Sequence, residues 1–148
     1  MSTANGFTYN IQLAGYAFDQ CDEKGPIDYD RFVHEFRAFP WASQVGQANG
    51  GSAPTLSVRN RSNGTDHWVS AAKHGAGHIY LLGIVHTREK RGFLGLGSPR
   101  PVRWVEIYVA EEPGTVEKTF RTFFAGNTEA LLSELRALPK FDEMEARK

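Results

Sequence analysis

The sequence predicts an α+β fold, in which an antiparallel β-sheet of about four to five strands carries helices packed on one face. Three features support this prediction. A series of short alternating segments fills the middle of the chain, two segments with helical spacing follow it, and a strand-like and a helix-like segment precede it. The 148 residues are enough to bury a core, so we predict a single domain over residues 1–148.

The strongest strand prediction covers Val102–Glu111, which is rich in β-branched and aromatic residues and lies between proline-containing turns. Apolar residues fall on both of its faces, which predicts a central strand covered at least partly on both sides. The predicted core residues are Trp104, Val105, Ile107, Tyr108, Leu82, Phe120 and Leu135. If Trp104 is buried, its truncation to alanine should cost about 3–5 kcal/mol.

The first third of the chain predicts one strand and one helix. Phe7–Leu13 alternates apolar and polar residues, as expected of a strand with one solvent-facing side. Asp19–Gly25 is polar and predicts a loop. Asp28–Phe39 has aromatic residues at helical spacing, begins with a residue suited to cap a helix, and is followed by proline. Gln44–Ala53 is polar and rich in glycine, which predicts a flexible connection.

Three further strands are predicted in the middle of the chain, at Leu56–Asn60, His67–Lys73 and His78–His86. Asn63-Gly64 is a favoured dipeptide for the turn between the first two, and a glycine-rich turn at 75–77 separates the second from the third. Together with the strand that follows residue 101, these segments predict an antiparallel meander.

Two helices are predicted near the C-terminus. The first runs to about residue 125 with Thr115 as its N-cap, and the second begins at Asn127 or Thr128. The leucines predicted to face the core from the second helix are Leu131, Leu132, Leu135 and Leu138. The charged tail from about 142 to 148 is predicted to fray.

The connection Thr87–Pro101 is long for a link between paired strands, and loops of this length are often functional. Its basic residues flank apolar ones separated by glycines, a combination suited to protein–protein contact. We predict that it is mobile when free and contacts a partner through Arg88, Lys90, Arg91, Phe93, Leu94, Leu96 and Arg100. The alternative interpretation is a solvated hairpin tip.

Composition and charge narrow the classes of function. The 17 basic residues balance the 17 acidic ones, which argues against binding of nucleic acid or acidic membranes by the chain as a whole. Cys21 is the single cysteine, so no internal disulfide is expected. The N-terminus lacks a signal-peptide pattern, and no run approaches about 18 apolar residues. We therefore expect a cytoplasmic protein without membrane contact.

The patterns that would indicate a metal or nucleotide site are weak. Four histidines fall between His67 and His86, but they are spread along strands and a turn, too far apart to meet at one ion, and surface or edge-strand positions are expected for them. The glycines at 92–97 precede a strand rather than a helix N-terminus, unlike those of a phosphate loop. Neither a metal nor a cofactor is predicted.

No nucleophile has a recognisable catalytic setting, and no catalytic residue is predicted. Glu106 lies between Trp104 and Tyr108 on one strand face, where a carboxylate needs a partner. Hydrogen bonds from tyrosine or tryptophan would give it a structural role. The alternative is a small enzyme or ligand-binding domain, with a pocket between sheet and helices lined by Trp104, Glu106, Tyr108 and a histidine.

The order of elements over residues 54–138 resembles small immunity proteins of bacterial polymorphic-toxin and contact-dependent growth inhibition systems. The segments that carry the resemblance are P-T-L-S-V-R-N, H-W-V-S-A, I-Y-L-L-G, V-R-W-V-E-I-Y and F-F-A-G-N-T-E-A-L-L-S-E-L. The resemblance lies in the succession of strands and helices rather than in a signature motif. It implies a cytosolic, non-enzymatic protein that binds a cognate protein toxin domain and occludes its active site.

Overall fold

A computed structural model describes residues 6–17, 19–47, 52–90 and 100–146. Within these residues the chain forms seven strands and four helices. In chain order they are β1 (Phe7–Gln12), β2 (Asp22–Pro26), α1 (Tyr29–Ala38), α2 (Trp41–Gln47), β3 (Thr55–Asn60), β4 (Thr65–His74), β5 (Gly77–Lys90), β6 (Arg100–Ala110), α3 (Pro113–Phe124), α4 (Thr128–Arg136) and β7 (Lys140–Glu145).

All of these strands belong to one sheet, in the order β2-β1-β3-β4-β5-β6-β7, and every neighbouring pair is antiparallel. The predicted α+β class with an antiparallel sheet is confirmed. The predicted number of strands is too low, because the described sheet has seven. β1 pairs with both β2 and β3, so it is an interior strand of the sheet and not an edge strand.

The two strands that were not predicted are the edge strands β2 and β7. β2 lies in the segment predicted as a loop, and β7 includes the first part of the tail predicted to fray. Their sequences, D-E-K-G-P and K-F-D-E-M-E, lack the apolar alternation from which a strand is predicted. Pairing with β1 and β6 satisfies their backbone groups, and an edge strand with charged side chains resists further pairing.

The helices lie close to their predicted positions and differ mainly at their ends. Asp28 caps α1, because its carboxylate accepts a hydrogen bond of 2.8 Å from a backbone N–H of the first turn. Asn127 caps α4 in the same way. The prediction of Thr115 as an N-cap is wrong, since α3 already begins at Pro113, a residue suited to the first helical turn. The segment Gln44–Ala53 is not wholly a flexible connection, because α2 occupies its start.

The core lies between the sheet and the helices, which pack on one of its faces as predicted. Phe32 of α1 and Phe120 of α3 stack at its centre, with ring centroids 3.9 Å apart. The sheet contributes the fully buried side chains of Leu56, Val58, Val69, Leu82, Ile84 and Tyr108. Of the predicted core residues, Leu82, Tyr108, Phe120 and Leu135 are confirmed as buried.

The core predictions for Trp104, Val105 and Ile107 are wrong, because all three side chains are only half-buried. Alternation along β6 places Val105 and Ile107 on the sheet face opposite the helices. Trp104 lies on the helix side but outside the core cluster. The loss of about 3–5 kcal/mol expected for Trp104→Ala is therefore too large, since that range applies to fully buried aromatic residues.

The connection predicted at Thr87–Pro101 is shorter than expected at both ends. β5 continues to Lys90 and β6 begins at Arg100, and these two residues pair with each other. The long β5–β6 hairpin therefore extends the sheet into the segment that was predicted as loop. Residues 91–99 lie outside the described residues, and they include the predicted partner contacts Arg91, Phe93, Leu94 and Leu96.

Candidate functional site

Glu106 lies at the centre of a buried polar cluster on the helix side of the sheet. Alternation along β6 points its side chain toward the helices, and only 2% of the residue is exposed. Arg136, the last residue of α4, donates from Nε to Oε1 at 3.0 Å and from Nη2 to Oε2 at 2.8 Å. Tyr108 donates its hydroxyl to Oε1 at 2.6 Å, and His86 Nε2 lies 2.8 Å from Oε2. Because a carboxylate only accepts, His86 Nε2 is the donor in this contact.

These partners outweigh the cost of burying the carboxylate. Burial alone would raise the pKa of Glu106, but the hydrogen bonds from Arg136, Tyr108 and His86 lower it to about 2. Burial and the Glu106 carboxylate together raise the pKa of Tyr108 to about 12. The hydrogen bonds to Glu106 also raise the pKa of Arg136. At neutral pH the cluster therefore holds an ionised Glu106, a neutral Tyr108 and a charged Arg136.

The geometry of the cluster is that of a structural ion pair. Each oxygen of Glu106 accepts from two donors, so the lone pairs that would take up a proton from a substrate are occupied. The predicted hydrogen bond from tyrosine is present through Tyr108. Trp104 does not take part, because its Nε1 donates to Glu143 at 3.1 Å. The contact to Arg136 ties the end of α4 to the sheet.

Sequence reasoning identified Glu106 and Tyr108 and expected a histidine beside them without specifying His86, but it missed Arg136. Arg136 lies in the last turn of a predicted helix, where a basic residue is already favoured by the helix dipole. His86 is two residues from Ile84, the β5 residue paired with Glu106, so its contact depends on the β5–β6 register. No signal in the sequence fixes that register or the docking of α4.

His67 forms a second buried polar site, under α3. It is fully buried, and its Nδ1 lies 2.8 Å from the carbonyl oxygen of Gly83, while Nε2 lies 3.0 Å from the hydroxyl of Thr119. Since a carbonyl only accepts, Nδ1 carries the proton of the neutral ring, and Nε2 competes for the hydroxyl hydrogen of Thr119 with the carbonyl oxygen of Val116, which lies 2.9 Å from that hydroxyl. Burial lowers the pKa of His67 to about 4 and keeps the ring neutral.

Two of the four clustered histidines, His67 and His86, are thus buried, which corrects the expectation of surface or edge positions. His74 is exposed and His78 is half-buried. In the part of the chain that the structure describes, no group of three or more His, Cys, Asp or Glu side chains is placed to hold a metal ion. The predicted lack of a metal site stays a prediction.

Arg88 and Arg100 are the two predicted partner-binding residues whose side chains the structure describes. Both lie at the same end of the β5–β6 hairpin. The guanidinium of Arg88 lies 4.5 Å from the centre of the Trp104 ring, and its Nη1 is 3.7 Å from Glu143 Oε2. Arg100 is exposed. Lys90 is the residue that pairs with Arg100 at the end of the hairpin. The hairpin therefore brings basic residues together, although Arg88 already has partners within the chain.

The opposite side of the sheet carries a continuous apolar surface on which none of the described helices packs. We call it the uncovered face, and its apolar side chains are Trp68, Leu81, Val85, Val105, Ile107, Val109 and Met144. Most of them are half-buried against one another, and Met144 is 42% exposed. Sequence reasoning found apolar residues on both sides of β6 but interpreted the second side as covered.

Trp68 occupies the middle of the uncovered face, directly opposite Gly83 on the neighbouring strand. Its indole ring lies across Gly83, and a Cβ atom at position 83 would be only 2.0 Å from Trp68 Cε2. Glycine is therefore required at this position to leave space for the ring. Among the described residues, Trp68 Nε1 has no hydrogen-bond acceptor.

Charged residues border one end of the uncovered face. Arg59 donates to Asp66 from Nε at 2.7 Å and from Nη2 at 3.0 Å. Arg103 approaches the same carboxylate from β6, with Nη2 3.4 Å from Asp66 Oδ2. The two guanidinium groups share one carboxylate, which leaves this border with a surplus of positive charge.

No protein-family model, curated protein or solved structure matches the chain. No helix in the described ranges is both long enough and apolar enough to cross a membrane.

Proposed function

We propose that this chain is an immunity protein, a non-enzymatic inhibitor that binds a cognate bacterial toxin domain in the cytoplasm. The observation that carries the proposal is the uncovered face, on which β4, β5, β6 and β7 place apolar side chains side by side. Contiguous apolar surfaces on a folded domain mark sites of protein contact. The order of elements that resembles bacterial immunity proteins supports the same function.

The residues of the uncovered face suit the centre and rim of a protein interface. Tryptophan and arginine are enriched among the residues that contribute most binding energy. Trp68 extends from β4 over Gly83 of β5, within the apolar surface. Arg88 and Arg100 point to the helix side of the sheet by alternation, so the charged rim consists of Arg59 and Arg103 at the border of the apolar surface. Such a rim increases the association rate with a partner that presents acidic residues.

The geometry does not favour the alternative of a small enzyme that acts through Glu106. A general base needs a lone pair within reach of its substrate, and both oxygens of Glu106 are occupied by donors of this chain. The guanidinium of Arg136 takes the position beside the carboxylate that a ligand would need. We therefore assign the cluster to stability and the uncovered face to binding.

The proposal predicts that an open reading frame next to this gene encodes a toxin domain, and that domain is the partner with which it is tested. We expect the two purified proteins to form an equimolar complex in size-exclusion chromatography with light scattering, and co-expression to restore the growth of cells that produce the toxin. Ile107→Asp should weaken binding by more than about tenfold, because it buries an unpaired charge in the interface. Ser133→Asp is the control, since Ser133 is exposed on α4, on the other side of the sheet from the apolar surface.

A lack of complex formation, or growth inhibition that persists in the presence of this chain, would contradict the proposal. If Ile107→Asp binds as tightly as the wild type, the interface lies elsewhere. The Phe93→Ala, Leu94→Ala double variant then decides whether the hairpin connection binds the partner. In that case it should weaken binding by more than about 1 kcal/mol without a change in melting temperature.

A further inference from the structure

An open cavity of about 510 Å³ lies on the same side of the sheet as the uncovered face, toward β1 and β3. Trp68 forms one of its walls, and the segment Asp19–Cys21, which precedes β2, forms the opposite wall. The floor consists of short or amide-bearing side chains from three neighbouring strands, namely Asn10, Gln12, Thr55, Ser57 and Ser70. The cavity exists because these floor residues are smaller than the indole beside them.

Hydrogen bonds hold the wall opposite Trp68 in place. Gln12 Nε2 donates to the carbonyl oxygens of Ala17 and Gln20, at 3.2 and 3.1 Å. Gln20 Oε1 accepts from the backbone N–H of Ala17 at 3.1 Å. At the other end of this segment, the hydroxyl of Tyr16 donates to Asp22 at 2.8 Å. The cavity is therefore bounded by fixed backbone on one side and by the indole over Gly83 on the other.

Several polar groups that line the cavity have no partner among the described residues. Ser70 is only 4% exposed, yet its hydroxyl makes no hydrogen bond within the described chain. The hydroxyl of Ser57 and Nε1 of Trp68 are likewise unpaired there. These hydroxyl and indole N–H groups open onto the cavity, so a ligand bound there can form hydrogen bonds to them.

The chemistry of the lining selects a neutral ligand rich in hydroxyl groups. Hydroxyl and amide side chains both donate and accept, as sugar hydroxyls do. Asp19 is the one charged residue among the described lining residues, and its negative charge disfavours phosphate and carboxylate ligands. The aromatic surface of Trp68 offers an apolar contact for the C–H groups of a ring.

We propose that this cavity binds a sugar ring of a neutral saccharide, which packs against Trp68 and hydrogen-bonds to Ser57 and Ser70. This inference does not rest on the proposed inhibition of a toxin, although Trp68 belongs both to the cavity and to the apolar surface. Ser57 and Ser70 belong to the cavity alone, whereas Val105 and Ile107 belong to the apolar surface alone. Loss of one binding activity by substitution therefore need not affect the other.

The three tryptophan indole N–H signals in a ¹H–¹⁵N NMR spectrum give a direct test. Trp41 Nε1 donates to the carbonyl oxygen of Phe36 at 3.0 Å, and Trp104 Nε1 donates to Glu143, whereas Trp68 Nε1 is unpaired among the described residues. Titration with cellobiose, maltose and N-acetylglucosamine should move the Trp68 signal in a saturable manner for at least one sugar. We expect a dissociation constant of about 1–10 mM and no change in the other two signals.

Matched variants locate the binding site. Ser70→Ala should weaken saccharide binding by about fivefold, because it removes one hydrogen bond. Ser133→Ala, at an exposed position on α4, should leave binding unchanged. Gly83→Ala displaces the indole and should also reduce affinity. Unmoved Trp41 and Trp104 signals verify that each variant is folded, and Ser57→Ala replaces Ser70→Ala if that variant fails this control.

Three results would overturn the proposal. The first is that none of the sugars moves the Trp68 signal at about 50 mM, which is well above the expected dissociation constant. The second is that the signal moves equally in the wild type and in the folded serine variant. The third is that tetramethylammonium or inorganic phosphate moves the signal while the sugars do not, which would assign the cavity to a charged ligand.

Discussion

The two faces of the sheet are built from neighbouring residues of the same strands, but they differ in how their side chains are partnered. His67 is fully buried and hydrogen-bonded to Thr119 of α3, whereas the next residue, Trp68, lies half-buried on the other face with an unpaired indole N–H among the described residues. Glu106 and Ile107 repeat the contrast on β6. The helices supply partners for buried polar groups, while on the face where none of the described helices packs, apolar side chains and the indole of Trp68 stay partly exposed.

The largest expected difference between the faces concerns apolar truncation. Phe120→Ala should lower the free energy of unfolding by about 3–5 kcal/mol, because the ring is fully buried and stacks on Phe32 and His67 at 3.9 and 4.0 Å. Ile107→Ala on the uncovered face is the comparison and should cost less than about 1.5 kcal/mol, since its side chain is half-exposed. Urea denaturation measures both values. Equal losses would mean that the second face is also covered.

The next largest effect is the pH dependence that His67 gives to stability. The pKa of His67 is about 4 in the folded chain and 6.5 for a free histidine side chain, so between pH 4 and pH 6.5 the unfolded chain binds a proton that the folded chain does not. The contribution of His67 to the free energy of unfolding is therefore fully present above pH 6.5 and decreases as the pH falls. The loss is about 3 kcal/mol near pH 4. Urea unfolding at several pH values should show this slope in the wild type and in His74→Gln, whose histidine is exposed. In His67→Gln the slope should be absent, and an unchanged slope would assign it to another group.

The smallest of the three effects concerns the buried ion pair. Glu106→Gln should lower the free energy of unfolding by about 2 kcal/mol, because it leaves the guanidinium of Arg136 without its charged partner. The loss is moderate, since the Arg136 side chain is 53% exposed and water can solvate it. Glu143→Gln is the matched control, because that carboxylate also pairs with a basic side chain, Lys140, but is more exposed. If Glu143→Gln lowers the free energy of unfolding more than Glu106→Gln does, the ion pair at the sheet edge contributes more to stability than the buried one.

The sequence predicted those elements whose own residues carry a strong pattern. The strand around Glu106 alternates β-branched and aromatic residues, and the aromatic spacing of α1 fixes its inward face, so both were found with nearly correct ends. β2 and β7 have polar sequences and become strands through pairing with a neighbour, which no local pattern reveals. For the candidate site, Glu106 was identified by its position between aromatic residues. Its partner Arg136 lies 30 positions away and was not.

The sequence alone determined the fold class, the inward-facing residues of the helices and the conflict posed by a carboxylate in an aromatic strand. These follow from periodicity and from the cost of burying charge, both of which are local properties of the chain. The tertiary structure decided which face of the sheet the helices cover, which donors meet Glu106 and His67, and that Trp68 borders both an apolar surface and a polar cavity. The reason is that helix docking and strand register bring together residues that are far apart in the chain. When both faces of a strand carry apolar residues, the sequence also does not specify which face the helices cover.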